Sequence, residues 1–206
     1  MSVNFFRKIA FGLTATEKIP SDPVGWAKNQ IVNLPEINWK HKTFSLDDMM
    51  KFHGKYNYTD RRVLRKKFKN NRHKYKNAKN KLKFSTGHYY FEPYWLYFRH
   101  NESVNGTAPV FQRFLHFWGN HFAIQKKNSM YVYDVGPYHL EILQPSLTQN
   151  IEDLVYNATI SWAMIHNLDN SKSIGPSSLR ASKLAFRGKS ANLNENHGRE
   201  LLELHT

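Results

Sequence analysis

The sequence predicts a mainly α fold, an irregular multi-helix domain with long loops, and three observations lead to it. Apolar residues recur at helical spacing, helix-start residues precede several of these runs, and no stretch sustains the alternation of a half-buried strand. The length of 206 residues is enough for one domain, 1–206, with a buried core. A content of 40% apolar and 15% aromatic residues excludes a wholly disordered or collagen-like chain.

The elements follow in order. Residues 1–15 form a short amphipathic helix on Phe5, Phe6, Ile9 and Leu13. Asp22 caps the next, with Pro23 at its first position and Pro35 ending it. Ser45 opens a third, which Gly54 is expected to break. The segment 61–83 reads as a basic helix with one narrow apolar stripe, Leu64, Phe68 and Tyr75. Phe84 to Tyr97 is too aromatic for periodicity to choose between helix and strand, and Asn101 to Pro109 reads as a loop.

Pro109 then starts a helix with a wide stripe of Val110, Phe111, Phe114, Leu115, Phe117, Trp118 and Phe122. Asn150 opens another, carrying Leu154, Ala158, Trp162 and Ile165 on one face. Leu168 to Asn192 reads as one long connection. The final helix is expected to start at Asn192 with Glu195 completing a capping box. Glu195–Arg199 and Arg199–Glu203 then stand as i,i+4 pairs. Leu201, Leu202 and Leu204 follow with no terminating residue after them, so this helix is expected to need a partner for its apolar face.

Charge is concentrated rather than spread. Twelve of the thirty Lys and Arg lie between Arg61 and Lys83, where there is no Asp or Glu, so the remaining eighteen bases face all sixteen acids. The net charge of +14 is therefore a property of one segment. Such a run is most simply a solvated helix face. Its functional reading is a cationic surface for nucleic acid or an anionic membrane, using Arg61, Arg62, Arg65, Lys66, Lys67, Lys69, Arg72 and Lys74, with Tyr75, Phe84, Tyr89 and Tyr90 able to stack.

The absence of cysteine excludes disulfides, thiolate nucleophiles and cysteine-rich zinc or iron–sulfur sites, and leaves the compartment open. No apolar run approaches the roughly 20 residues that a membrane-spanning helix requires. The N-terminus lacks a clear small-residue cleavage site after Ile9–Ala15, so it reads as mature protein and a cytoplasmic location is the default.

Four segments resemble a bacterial family, the domain of unknown function 1800 family. NLNENHGRELLELHT (Asn192–Thr206) resembles its LNEN and ARELLELHT motif, and LDNSKSIGPSS (Leu168–Ser178) its LDN and SIGPNS element. FWGNHF (Phe117–Phe122) is similar to its FWxNHF helix. KIAFGLTA and DPVGWAKNQI (Lys8–Ala15 and Asp22–Ile31) are similar to its first two helices. The order agrees from residue 8 to the end. His197 and Gly198 stand where an apolar residue and Ala are usual, and Gly119 stands for a polar residue.

The resemblance implies a mainly helical fold, export to the envelope in many relatives, and no established activity. Family members commonly run on past the last residue here. The resemblance thus implies an N-terminal portion, an incomplete version of a larger helical fold whose first partner is its own missing C-terminal half.

Three polar clusters coincide with these motifs: Asn120 and His121; Asp169 and Asn170; and Asn194, Glu195, Asn196, Arg199, Glu200, Glu203 and His205. Converged, they would supply a general acid/base pair or a carboxylate and His metal site, hence a hydrolase or metal-dependent enzyme as the alternative function. No H-E-x-x-H or comparable metal-ligand set is present, and no cofactor motif is legible: SIGPSS has one Gly, and its Pro lacks an N–H donor. The simpler role for these Asn and Asp residues is to cap helices and satisfy loop backbone.

Overall fold

The computed structural model describes residues 3–12, 18–33, 45–85, 91–125 and 135–205, and among them every regular element is helical. Helices α1 (Val3–Ile9) and α2 (Pro23–Val32) come first. The Asp22 carboxylate accepts from Gly25 N–H at 2.9 Å and Pro23 is the first helical residue, as the sequence predicts. Leu13 lies outside the described residues.

Ser45 caps α3 (Leu46–Gly54) in a full capping box with Asp48. The helix does not break at Gly54, which keeps right-handed helical angles and passes into a π-helical run, Lys55–Asp60, and then α4 (Arg61–Lys67). Burial of Tyr56 in that run outweighs the weak helix propensity of one glycine. The basic segment is likewise two helices. A turn over Phe68–Asn71 separates α4 from α5 (Arg72–Ser85), and the Asn71 carboxamide accepts from Lys74 N–H at 2.9 Å to start the second.

Helix α6 (Phe91–Asn105) takes in most of the expected loop. Asn101 and Ser103 are accommodated because the helix itself satisfies their side chains. Asn105 Nδ2 donates to Asn101 Oδ1, and Ser103 Oγ donates to the Arg99 carbonyl. Only Gly106–Ala108 remain to connect it to α7 (Pro109–His121).

The central core cluster is built from residues 108–168, with Phe6, Tyr56, Trp95 and Phe98 buried outside it. Phe111, Leu115 and Phe122 of the α7 segment meet Tyr138 and Leu143 of α8, a π-helical run Tyr138–Leu143 that closes in Gln144–Ser146. Leu154 and Ala158 of α9 (Ile151–Ile160) and Ala163, Met164 and Leu168 around α10 (Trp162–Asn167) complete it. The α7 stripe is narrower than its sequence suggests, because Phe117 is 60% exposed. Asn150 caps α9 as predicted, but the helix ends at Ile160. Extended Ser161 starts α10 anew, its hydroxyl accepting from Met164 N–H.

The connection after Leu168 is not a plain loop. It holds a 3-10 turn, Asn170–Lys172, and α11 (Leu179–Ala185), capped by Ser178. The last helix, α12 (Asn196–Leu204), begins three residues later than expected, so Glu195 is no capping-box partner and Asn192 is no cap. Instead Asn194 Oδ1 accepts from Asn196 N–H, an Asx turn that fixes the entry of the chain. Buried His205 follows the helix, its N–H bonded to the Leu201 carbonyl. No described helix is long and apolar enough to cross a membrane.

Candidate functional site

The polar motifs meet as two adjoining groups. In the first, Asp169 takes a left-handed conformation, φ 62°, which turns Asn170 toward α12. Asn170 Nδ2 lies 2.9 Å from His197 Nδ1, its Oδ1 accepts from Ser173 Oγ, and Ser173 Oγ in turn accepts from Asn194 N–H. Asn194 Nδ2 donates to the Asp169 carbonyl, and Asn196 Oδ1 accepts from the Arg199 guanidinium. Arg199 also pairs with Glu203 at 3.7 Å; the pairing expected with Glu195 is not formed, since Glu195 sits outside the helix. Asp169 carries its own partner, Lys172, at 2.7 Å.

In the second group the His121 and His205 rings lie 5.6 Å apart, and His205 also packs on Phe122. Burial pushes the His205 pKa down, His121 and His197 add to this, and Glu200 opposes it. Asn120 and Glu195 point into solvent. Thus Asp169, Asn170, Asn194, Asn196 and Arg199 come together, and His121, Glu200 and His205 adjoin them. The hydrogen bonds of the first group run from loop to helix and back, which ties the 168–173 turn to the start of α12. Among the described residues no three His, Asp or Glu side chains stand close enough to hold a metal ion.

A third assembly escaped sequence reading. His116, on α7, sits between Arg99 and Ser103 of α6: Arg99 Nη2 is 2.8 Å from Nδ1, and Ser103 Oγ is 2.8 Å from Nε2. The Ser103 proton goes to the Arg99 carbonyl at 2.7 Å, so Nε2 donates to the hydroxyl and Nδ1 accepts from the guanidinium. This fixes a neutral tautomer, and it orients Ser103 as an acceptor rather than as an activated nucleophile. Burial, then Arg99 and His100, push the His116 pKa down to about 4. Beside it, burial first and the charges of Arg99 and His116 next push fully buried His139 down to about 3.

A fourth assembly is basic. Between the π-run, α4 and α5 lie two cavities of about 570 and 680 Å³ that share Arg62, Arg65 and Tyr75. Arg61, Lys66, Lys69 and Arg72 complete the cationic lining; Tyr58 and Phe68 add ring faces, and no carboxylate lines either cavity. Six of the eight cations expected from sequence are therefore gathered in one groove. Lys67, over the Phe68 ring, and Lys74 lie outside it. Tyr75 lines both cavities, whereas the Phe84 side chain, Tyr89 and Tyr90 lie outside the described residues. Tyr58, His53 and Asn57 were not legible as part of this lining; the π-run and the end of α3 bring them to the same wall. Burial, His166 and Arg61 hold His53 down at about 4, so it is neutral at pH 7.

A mainly α chain whose LDN turn and LNEN segment close on one another by side-chain hydrogen bonds defines the class of protein. Comparison with known families gives the same answer: the model described as Protein of unknown function (DUF1800) matches residues 6–206, and the chain belongs to that family, one without an established activity. No curated protein and no solved structure matches it.

Proposed function

We propose that this protein binds a polyanion, a nucleic-acid strand, in the groove between α4 and α5. The observation that carries the reading is a lining of six cations and three aromatic rings without one carboxylate. Such a surface is attracted to phosphate at long range, and ring faces at the groove, with Tyr58 74% exposed, offer stacking that a lipid surface would not use.

Fluorescence anisotropy with a single-stranded oligonucleotide tests it. Binding should weaken at least about tenfold when Arg65, Lys66 and Lys69 are all changed to Gln, and severalfold on Tyr58→Ala. Equal binding by these variants contradicts the reading. Binding to anionic vesicles alone moves the partner to a membrane surface.

A second reading is favoured by the exposure of Leu202 (74%) and Leu204 on α12 together with Phe186 (94%). These exposed apolar side chains suit cover by a further helical segment, such as the C-terminal half that the family resemblance implies. Co-expression with such a segment should raise the melting temperature, and an unchanged melt counts against it. The enzymatic reading rests on Glu200 and His205. It requires that Glu200→Ala and His205→Ala abolish substrate or metal binding while the fold is retained; mere destabilisation makes both residues structural.

A further inference from the structure

A second groove, of about 460 Å³, lies on another part of the molecule, between α1, α2 and α7. Each helix turns one stripe into it: Phe5, Lys8 and Ile9; Val24, Ala27, Lys28 and Ile31; Val110, Arg113, Phe114 and Phe117. The spacing in every stripe is that of one helix face, and every stripe is apolar except for one cation. No acidic residue lines the groove, and neither Lys8 nor Lys28 pairs with a carboxylate of the described residues.

Arg113 is differently placed. Its Nη1 donates to the Ala10 and Arg7 carbonyls, which fastens the end of α1 to α7 and holds the groove open as a formed feature. The volume lies in the range of small-molecule sites, with the apolar lining and few charged groups typical of them. Phe117, exposed although it sits on a helix of the core, forms part of the wall.

We propose that this groove binds a single long-chain carboxylate, its acyl chain along Ile9, Ala27, Ile31 and Phe114 and its anionic head at Lys8 and Lys28. Charge complementarity decides the class: Lys8 and Lys28 are exposed cations of a lining that holds no carboxylate, so an anionic head is attracted, a neutral one gains nothing from them, and a cationic amphiphile is repelled. The site is independent of the basic groove, which has a different lining.

The test is a titration of the purified protein with monomeric hexadecanoate, read by calorimetry, with hexadecanol and anionic vesicles as comparisons. Micromolar binding of hexadecanoate is expected, with hexadecanol at least about tenfold weaker. Lys8→Glu with Lys28→Glu should cost at least tenfold, and Ala27→Trp should abolish binding by filling the trough; each variant is checked for an unchanged melt. The Arg65, Lys66 and Lys69 triple Gln variant should bind hexadecanoate as the parent does. Equal affinity for hexadecanol, full binding by the Lys8/Lys28 variant, or binding to vesicles but not to the monomer would overturn the proposal.

Discussion

Gly119 shows how a single atom can be decided by packing. A Cβ built there would stand 2.5 Å from His139 Cε1, and His139 is buried with no room to retreat. Gly119 therefore makes space for that imidazole. Gly119→Ala should destabilise the fold by about 1–3 kcal/mol in chemical denaturation; a change within ±0.5 kcal/mol contradicts this packing. The same imidazole, with His116, sets a pH dependence. Both have pKa values depressed below the unfolded value near 6.5, so the unfolded chain binds more protons, and the stability present above pH 6.5 is lost as pH falls toward 4 and 3. Between pH 7 and 5 His139 alone should cost about 2 kcal/mol, seen as a falling melting temperature. A flat melt over that interval would mean that the imidazole is not buried as described. None of this was legible in sequence, because Arg99, Ser103, His116 and His139 meet only through the packing of α6, α7 and α8.

At the scale of elements, four starts were legible, while three others and most ends were not. Asp22, Ser45, Pro109 and Asn150 act as the sequence predicts, since a cap needs only neighbours within four residues. Continuation through Gly54, the extension of α6 over Asn101–Asn105 and the break at Ser161 depend on what each segment buries. Ser161 is the informative case: its hydroxyl donates to the Ala158 carbonyl at 2.7 Å while accepting from Met164 N–H, all in a buried site. Ser161→Ala should cost about 1–2 kcal/mol, and an unaffected denaturation midpoint would show that α10 needs no cap. The loop knot also escaped the capping-box logic. Its Asn residues bond across more than twenty positions of sequence, a range that no local motif reports. Their likeness to the family motifs located them; only the fold showed what they hold together.

Over the whole molecule, the core and the charge occupy different parts of the chain. The core cluster runs from Ala108 to Leu168, while the cationic helix pair of α4 and α5 contributes no residue to it. The mainly α class was legible because both parts carry helical periodicity. The groove was not, because a single basic helix was expected where two helices joined by a turn form, and the cavities are lined from both helices and the turn. This separation predicts that neutralising Arg65, Lys66 and Lys69 leaves the melting temperature unchanged, as surface changes away from packed features usually do. A fall of several degrees would mean that the helix pair supports the core. The central claim, a strand held in the groove by its phosphates, is tested most directly by the salt dependence of oligonucleotide binding. Six groove cations on a single strand predict that log K falls with log salt at a slope of about −4, reduced by about 2 in the triple variant. A slope near zero, or one that the triple variant leaves unchanged, would contradict it.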